Sequence, residues 1–310
     1  MHPIFEALLS QAKGQSRLRV AVAHPCDAVT MESVEAAFKA GLIEPTLVGP
    51  EAKIRTAASE AGLAALEWPI IDTPHSHASA NAAVELVRAG KAGALMKGSL
   101  HTDELMSAVI DPLHGLRAER RISHCYVMAT KGHSEPLIVT DAAINIAPDL
   151  HVKADIVQNA IDLAHAIGVV EVRVALLSAT ETINPAIQST IDAAALCKMA
   201  DRGQIIGALL DGPLALDNAI DMGAVTQKHI RSTVAGRANV LVVPDLVAGN
   251  ILAKTLSFMA HAEAAGIVVG ARVPIILTSR ADTLESRIVS CAIAVHLAKI
   301  PVLKGVVKGQ

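Results

Sequence analysis

The chain has 310 residues, 52% hydrophobic and 18% charged, with a formal net charge of −3, one Trp, one Tyr and three Phe. That length is ample for two domains and a stable core and excludes a small disordered module. A slightly acidic balance with almost no stacking rings leaves neither electrostatics nor base platforms for nucleic acid, so no nucleic-acid partner is expected.

Low aromatic content beside many Ala, Val, Ile and Leu describes the core of a parallel α/β protein. Mean hydropathy is +0.43, yet no stretch of about 18 apolar residues runs free of charge, and no membrane partner is expected. The start, Met1-His2-Pro3-Ile4-Phe5-Glu6-Ala7-Leu8-Leu9, lacks a basic region ahead of an apolar one and reads as an amphipathic helix. Cys26, Cys125, Cys197 and Cys291 are far apart among apolar neighbours and form no C-x-x-C. They read as small core hydrophobes in a reducing compartment, and the expected location is cytoplasmic.

In chain order, an apolar run at 20–23 ends at His24-Pro25 and is followed by a helical pattern at 31–40, a strand at 47–49 and a helix at 52–62. A helix at 79–88, a strand at 94–96 running into Lys97-Gly98-Ser99, and a helix start at His101-Thr102-Asp103 complete a βαβα order. His75-Ser76-His77 has a spacing that suits a metal, but its place between Pro74 and a helix start reads as loop. His101 follows a strand near Ser99, where it is either a substrate hydrogen-bonding group or a structural histidine. Arg117, Arg120 and Arg121 form either a solvated basic face or an anion pocket.

Farther on, strands are expected at 137–140, 172–177, 205–210 and 240–243, and helices at 152–167, 186–199 and 250–265. Asp141, Asp211 and Asp245 each follow a strand. Singly they read as turn residues that satisfy loop backbone donors. Pro244-Asp245-Leu246-Val247-Ala248-Gly249-Asn250 joins a turn and small residues to a helix start, where backbone can approach a ligand.

The densest polar cluster follows the apolar run 273–277, in Thr278-Ser279-Arg280-Ala281-Asp282-Thr283-Leu284-Glu285. It reads as strand, turn and helix, and strand ends of an open α/β sheet face the ligand crevice. A guanidinium with paired donors, a hydroxyl and a helix start together suit an anionic substrate. Asp282 with Glu285 has the D-x-x-E spacing of a helix cap. No glycine-rich dinucleotide loop, Walker A loop or G-x-S-x-G elbow occurs, which weakens NAD binding, nucleotide hydrolysis and serine esterase chemistry alike.

Five stretches taken in order resemble the phosphate acetyl/butyryltransferase family: 94–102, 138–145, Asp211-Gly212-Pro213-Leu214, 244–250 and 276–282. The likeness is nearest to its phosphotransbutyrylase-like branch and to the transferase half of bifunctional enoyl-CoA hydratase/phosphate acetyltransferases. It implies two α/β/α domains of isopropylmalate-dehydrogenase-like architecture with an interdomain cleft. The first would be 1–136 plus 268–310, carrying Ser279-Arg280, and the second 137–267. The implied reaction moves a short acyl group between CoA and orthophosphate, with CoA as substrate, no permanently bound cofactor and no metal, in a homodimer or larger assembly.

Ser279, Arg280 and Asp282 are the expected catalytic residues, and His101, Arg117, Arg121, Asp245 and Asn250 the expected substrate-binding ones. Two positions depart from the acetyl-specific pattern. The carboxylate seven residues after the serine is Ser286 here, leaving Asp282 as the candidate base, and a phosphate-binding arginine falls near Met106, to be replaced by Arg117, Arg120 or Arg121. A non-catalytic acyl-CoA-sensing module is the alternative reading. Oxidative decarboxylation rests on fold analogy alone and ranks last.

Overall fold

The computed structural model describes residues 1–63, 67–278 and 282–299. The chain falls into two compact units, one of Pro3–Arg120 with the chain from Ala265 onward, the other of Arg121–Ala264.

The first unit opens with α1 (Pro3–Lys13), β1 (Leu18–Ala23), α2 (Ala28–Lys39), β2 (Ile43–Gly49), α3 (Glu51–Glu60), β3 (Ile70–Asp72), α4 (Ser76–Arg88), β4 (Ala94–Lys97) and α5 (Thr102–Ile110). Val20, Ala21, Val22 and Ala23 are buried along β1, as befits a parallel strand covered on both faces. Asp27 fixes the turn after β1 by accepting the Thr30 N–H at 2.7 Å, capping α2. α4 begins at Ser76, earlier than the pattern from 79 predicts, because the His75 ring caps it through the Ala78 N–H at 3.3 Å.

The second unit contains β5 (Ser123–Ala129), β6 (Leu137–Thr140), α6 (Leu150–Ala166), β7 (Arg173–Leu177), α7 (Gln188–Asp201), β8 (Leu209–Leu214), α8 (Leu216–Ile220), α9 (Met222–Gln227), β9 (Val240–Val242) and α10 (Leu246–Phe258). Its strands lie in the order β5-β6-β9-β7-β8, with β5 antiparallel to β6 and the remaining pairs parallel. The strand expected at 205–210 is β8, shifted to include Gly212-Pro213. As the edge strand of this unit it tolerates a proline that reads as a breaker in the sequence.

The chain then returns to the first unit with β10 (Glu263–Val269), β11 (Ile275–Ile276) and α11 (Leu284–Leu297). Strand order in that unit is β3-β2-β1-β4-β11-β10; β11 runs parallel to β4 and antiparallel to β10. The helix predicted over 250–265 is therefore two elements. α10 stops at Met259, His261 takes a left-handed φ of 52°, and the β-branched residues Ile267, Val268 and Val269 continue as strand. α11 packs against α1 and α2 and is buried along 289–297, with His296 Nε2 3.1 Å from the Leu8 carbonyl.

The unit boundary at Arg120/Arg121 differs from the expected 136/137. The intervening strand β5, missed in the sequence, pairs with β6 from Cys125↔Thr140 to Met128↔Leu137 and so belongs with the second unit. The return at 264/265 lies close to the expected 267/268.

Candidate active site

In the first unit β1 leads outward to β2 on one side, whereas β4 lies on its other side, so the strand order reverses between β1 and β4. Ligands of open α/β sheets sit beyond the carboxyl ends of strands at such a reversal. The ends here are tied closely. Gly98 N–H donates to the Ala23 carbonyl at 2.9 Å, and Ser99 N–H and Oγ both donate to the His24 carbonyl, at 2.9 and 2.8 Å. Ser99 Oγ accepts the Cys26 N–H at 3.2 Å, and Lys97 Nζ folds onto the Gly98 and Leu100 carbonyls. A Cβ on Gly98 would stand 2.4 Å from the Ala23 oxygen and 2.5 Å from that of His24, so only glycine permits this approach.

His101 precedes α5 at this same edge, exposed, and its N–H donates to Glu104 Oε2 at 3.0 Å. Partial burial pulls the Glu104 carboxyl up. That backbone bond, the Ser76 hydroxyl and nearby His77 and His101 outweigh it and hold the group below the usual carboxylate range. His75 caps α4 and His77 lies 3.3 Å from Glu104, and among the described residues no group of three or more His, Cys, Asp or Glu is placed to hold a metal.

β11 extends β4 in register, Ile275↔Leu95 and Ile276↔Met96, so the chain leaving it emerges beside Lys97-Gly98-Ser99. Ser279 and Arg280 follow; they lie outside the described residues. Farther along the chain, Asp282 is half-buried and its carbonyl accepts from Nε of the buried Arg287 at 3.3 Å. The helix cap is Thr283, not Asp282: its Oγ1 accepts the Ser286 N–H at 3.2 Å, so the predicted D-x-x-E box does not form. A threonine one step nearer the helix wins because a cap needs extended backbone immediately before the first helical residue, and Thr283 has φ −69° and ψ 162°.

Arg117 is not gathered at this edge. It bridges Ala271, and its carbonyl accepts from Arg272 Nε at 3.3 Å, beside the turn that enters β11 on its amino side. Met106 is buried in α5, a core position rather than a place for a phosphate ligand. A groove of about 610 Å³ between α4 and the chain after α5 is lined by Ala82, Glu85, Arg88, Asp111 and His114, away from the strand ends.

In the second unit the carboxyl ends of β6 and β9 are adjacent. Asp141, 2% exposed, accepts the N–H groups of Ala143, Ile144 and Asn145 and the Asn145 side-chain amide, which organises the loop after β6. Asn145 also donates to the Ile122 carbonyl, which brings Arg121 to this loop. Arg121 itself uses its N–H on Asp155 and its carbonyl on Asn159. Asp245 caps α10 through the Ala248 N–H at 2.9 Å, and Asn250 Nδ2 donates to the Ala142 carbonyl at 3.3 Å. A Cβ on Gly249 would lie 2.5 Å from the Asp141 oxygen, so α10 is drawn in against the loop. Asp211 bonds the N–H of Gly212 within β8. The turn-residue reading agrees with these bonds for Asp141 and Asp245; Asp211 instead lies inside β8, which runs on through Gly212-Pro213 to Leu214.

Two buried polar groups here gave no signal in the sequence. Lys153 Nζ lies 2.6 Å from Asp192 Oδ2, the side chains only 8% and 9% exposed, and Gln188 Nε2 donates to the other oxygen at 2.8 Å. The cavity beside the pair is about 10 Å³, room for no more than a water. His124 is fully buried with its ring 4.5 Å from that of Tyr126, and neither ring nitrogen hydrogen-bonds any described residue. Burial pushes its imidazole from 6.5 down to about 4, against an upward pull from Asp141.

Because the folded value lies below the unfolded one, the unfolded chain binds more protons between them. His124's stabilisation is complete above about pH 6.5 and is lost as pH falls through about 4. His124→Phe, which keeps a ring against Tyr126, is expected to flatten this acid limb when urea midpoints are compared at pH 7.5 and 4.5. A variant as acid-sensitive as the parent would assign the limb elsewhere.

Residues 75–295 match the family model described as Phosphate acetyl/butaryl transferase. The chain belongs to the phosphate acetyl/butaryl transferase family. It is 58% identical over 290 residues to a phosphate acetyltransferase of Rhizobium meliloti, covering 94% of this chain and 92% of that one. It is 39% identical over 294 residues to a phosphate butyryltransferase of Clostridium acetobutylicum, covering 95% and 98%. The crystal structure of a branched-chain phosphotransacylase from Enterococcus faecalis V583 superposes with a TM-score of 0.79 at 30% identity, over 91% of this chain and 99% of that one. The α/β fold expected from the sequence is thus the fold of this transferase family.

Proposed function

We propose that the protein is a phosphate acyltransferase that interconverts a short acyl-CoA plus orthophosphate with an acyl phosphate plus CoA. The observation that carries this is the family match from 75 to 295, with relatives named for acetyl and for butyryl transfer. Direct thiol attack in a ternary complex is the proposed route. A free thiol with pKa near ~8.5 is mostly protonated at neutral pH, so attack needs a proton acceptor. The protein's own cysteines offer no alternative acyl carrier: burial pushes Cys26 up to about 11 and Cys125, Cys197 and Cys291 up to about 12.

In this scheme Ser279, Arg280 and the start of α11 hold the negative charge that develops on the acyl oxygen and the phosphate. Asp282, two residues after Arg280 in the sequence, is the third proposed catalytic residue. His101, Arg117, Arg121, Asp245 and Asn250 are the proposed substrate contacts. No permanently bound cofactor is proposed, and turnover is expected to survive a chelator. The proposed location is the cytoplasm; among the described residues no helix is long and apolar enough to cross a membrane.

The test is CoA-dependent consumption of acetyl, propionyl and butyryl phosphates. Turnover with at least one is expected, and the chain-length profile sets the specificity. CoA binding by calorimetry without transfer of any acyl group would instead favour a sensing module, a reading that none of the three relatives named above supports.

A homodimer or larger assembly is part of the proposal. α10 buries only Gly249 and Ala253, while Val247, Ile251 and Phe258 are 60%, 61% and 69% exposed. At about 100° per residue these three fall on one helical face. Such a row suits an isologous pairing with a second copy of the chain. Ile251→Asp is expected to lower the mass measured by light scattering toward that of one chain. An unchanged mass would move the interface off α10.

A further inference from the structure

The side chain beyond β1 is oriented by a chain of hydrogen bonds that assigns a donor to each contact. Ser79, fully buried on α4, places its Oγ 2.9 Å from the His75 carbonyl, 2.8 Å from Thr73 Oγ1 and 3.0 Å from His24 Nδ1. A carbonyl only accepts, so the single Ser79 hydroxyl proton goes to His75. The two remaining lone pairs accept from the Thr73 hydroxyl and from His24 Nδ1–H. His24 therefore donates from Nδ1, which in the neutral ring leaves Nε2 as the unprotonated nitrogen, and Nε2 bonds no described residue.

The backbone holds the ring there at a cost. His24 has φ +55°, a left-handed conformation that non-glycine residues seldom take, clamped by its N–H on the Val48 carbonyl and by three bonds to its own carbonyl from Cys26 and Ser99. The position is the carboxyl end of β1, at the reversal of strand order, with β4 between β1 and β11. Two strand spacings put the β1 and β11 exits about 10 Å apart. Ser286, in the first turn of α11, has its N–H committed to Thr283.

We propose that His24 is a catalytic base of this site, with Nε2 accepting the proton of the CoA thiol, and that Ser79 and Thr73 are the positioning residues that fix its tautomer. The inference rests on the acyltransferase reading above. The thiol sulfur forms a bond to the acyl carbon as its proton moves to Nε2. The intermediate then expels phosphate with the electron pair of the C–O bond, and the imidazolium returns the proton to the departing phosphate oxygen. Thioester, hydrogen phosphate and neutral His24 are regenerated in balance. Burial and then Lys53 on α3 lower the His24 pKa, as does His75 before α4, while Glu104 on α5 and Asp27 before α2 raise it. The net shift is downward, so the ring is neutral at pH 7.

The experiment compares wild type, His24→Gly, His24→Asn, Ser79→Ala and Asp282→Asn in acetyl- or butyryl-phosphate-dependent acylation of CoA. Glycine and asparagine both tolerate the left-handed backbone. Each His24 variant is expected to lose at least roughly 100-fold in kcat and to lose the acidic limb of kcat/KM, which in wild type lies below the ordinary histidine value. Added imidazole restores His24→Gly in proportion to its free base. Ser79→Ala shifts the limb and lowers kcat with KM unchanged, and Asp282→Asn retains the limb. His24 variants at wild-type rate, or a limb present in them and absent in Asp282→Asn, overturn the assignment. Should both His24 variants fail to fold, nitrogen-15 NMR of the wild-type ring decides: protonated Nε2 at neutral pH overturns it. A wild type without transfer activity overturns the acyltransferase reading and this base with it, whereas an active wild type with unaffected variants overturns the base alone.

Discussion

Arg280→Ala is expected to lower kcat/KM for acyl transfer from an acyl phosphate to CoA by roughly 30- to 900-fold, which is about 2–4 kcal/mol of transition-state stabilisation. The reacting groups concentrate negative charge: a phosphate already dianionic, and an acyl oxygen that becomes an oxyanion as sulfur bonds to carbon. A guanidinium meets both with fixed paired donors, and the start of α11 contributes its own free N–H groups. Arg280→Lys keeps the charge without the fork and is expected to recover only part of the loss. The measurement is initial rate against acyl phosphate at saturating CoA, with folding checked by thermal unfolding. Turnover in the alanine variant equal to that of wild type would remove Arg280 from the mechanism.

Lys153→Met is expected to cost about 3–5 kcal/mol of stability, the usual penalty for leaving one member of a buried ion pair alone. Asp192 would keep the Gln188 amide but lose a cation 2.6 Å away in a site with room for at most one water. Lys153→Met with Asp192→Leu is expected to recover most of that loss, because apolar groups of like volume need no partner. Denaturant midpoints at pH 7 for the two single variants and the double variant give the coupling directly. A single variant as stable as the parent would mean that the pair opens to solvent in solution.

The sequence was most legible where period and position carry the signal. The apolar runs that became β1, β4, β6, β7 and β9 alternate with helical patterns, and five ordered stretches carried the family resemblance. Errors fall where tertiary context overrides local preference. His124 and Tyr126 disguised β5, Ala-rich residues after α10 concealed β10, and Gly212-Pro213 displaced β8, each a strand settled by its neighbours in the sheet. The site was half legible. Ser279-Arg280 stood out by composition, and Asp282 was read as a cap that Thr283 supplies. His24 drew no notice because nothing local marks a histidine before proline. Only the Thr73, Ser79 and His75 network, brought together by β1, β3 and α4, shows which ring nitrogen is free.

The division of the chain has a consequence for synthesis on the ribosome. Arg121–Ala264 is one uninterrupted segment and can close its sheet while later residues are still being made. The other unit needs β11 beside β4 and α11 against α1 and α2, partners separated by more than half of the polypeptide. Until those last elements emerge, the nascent amino-terminal half exposes an open edge at β4 and an uncovered apolar surface on α1, the period in which a chaperone has most to hold.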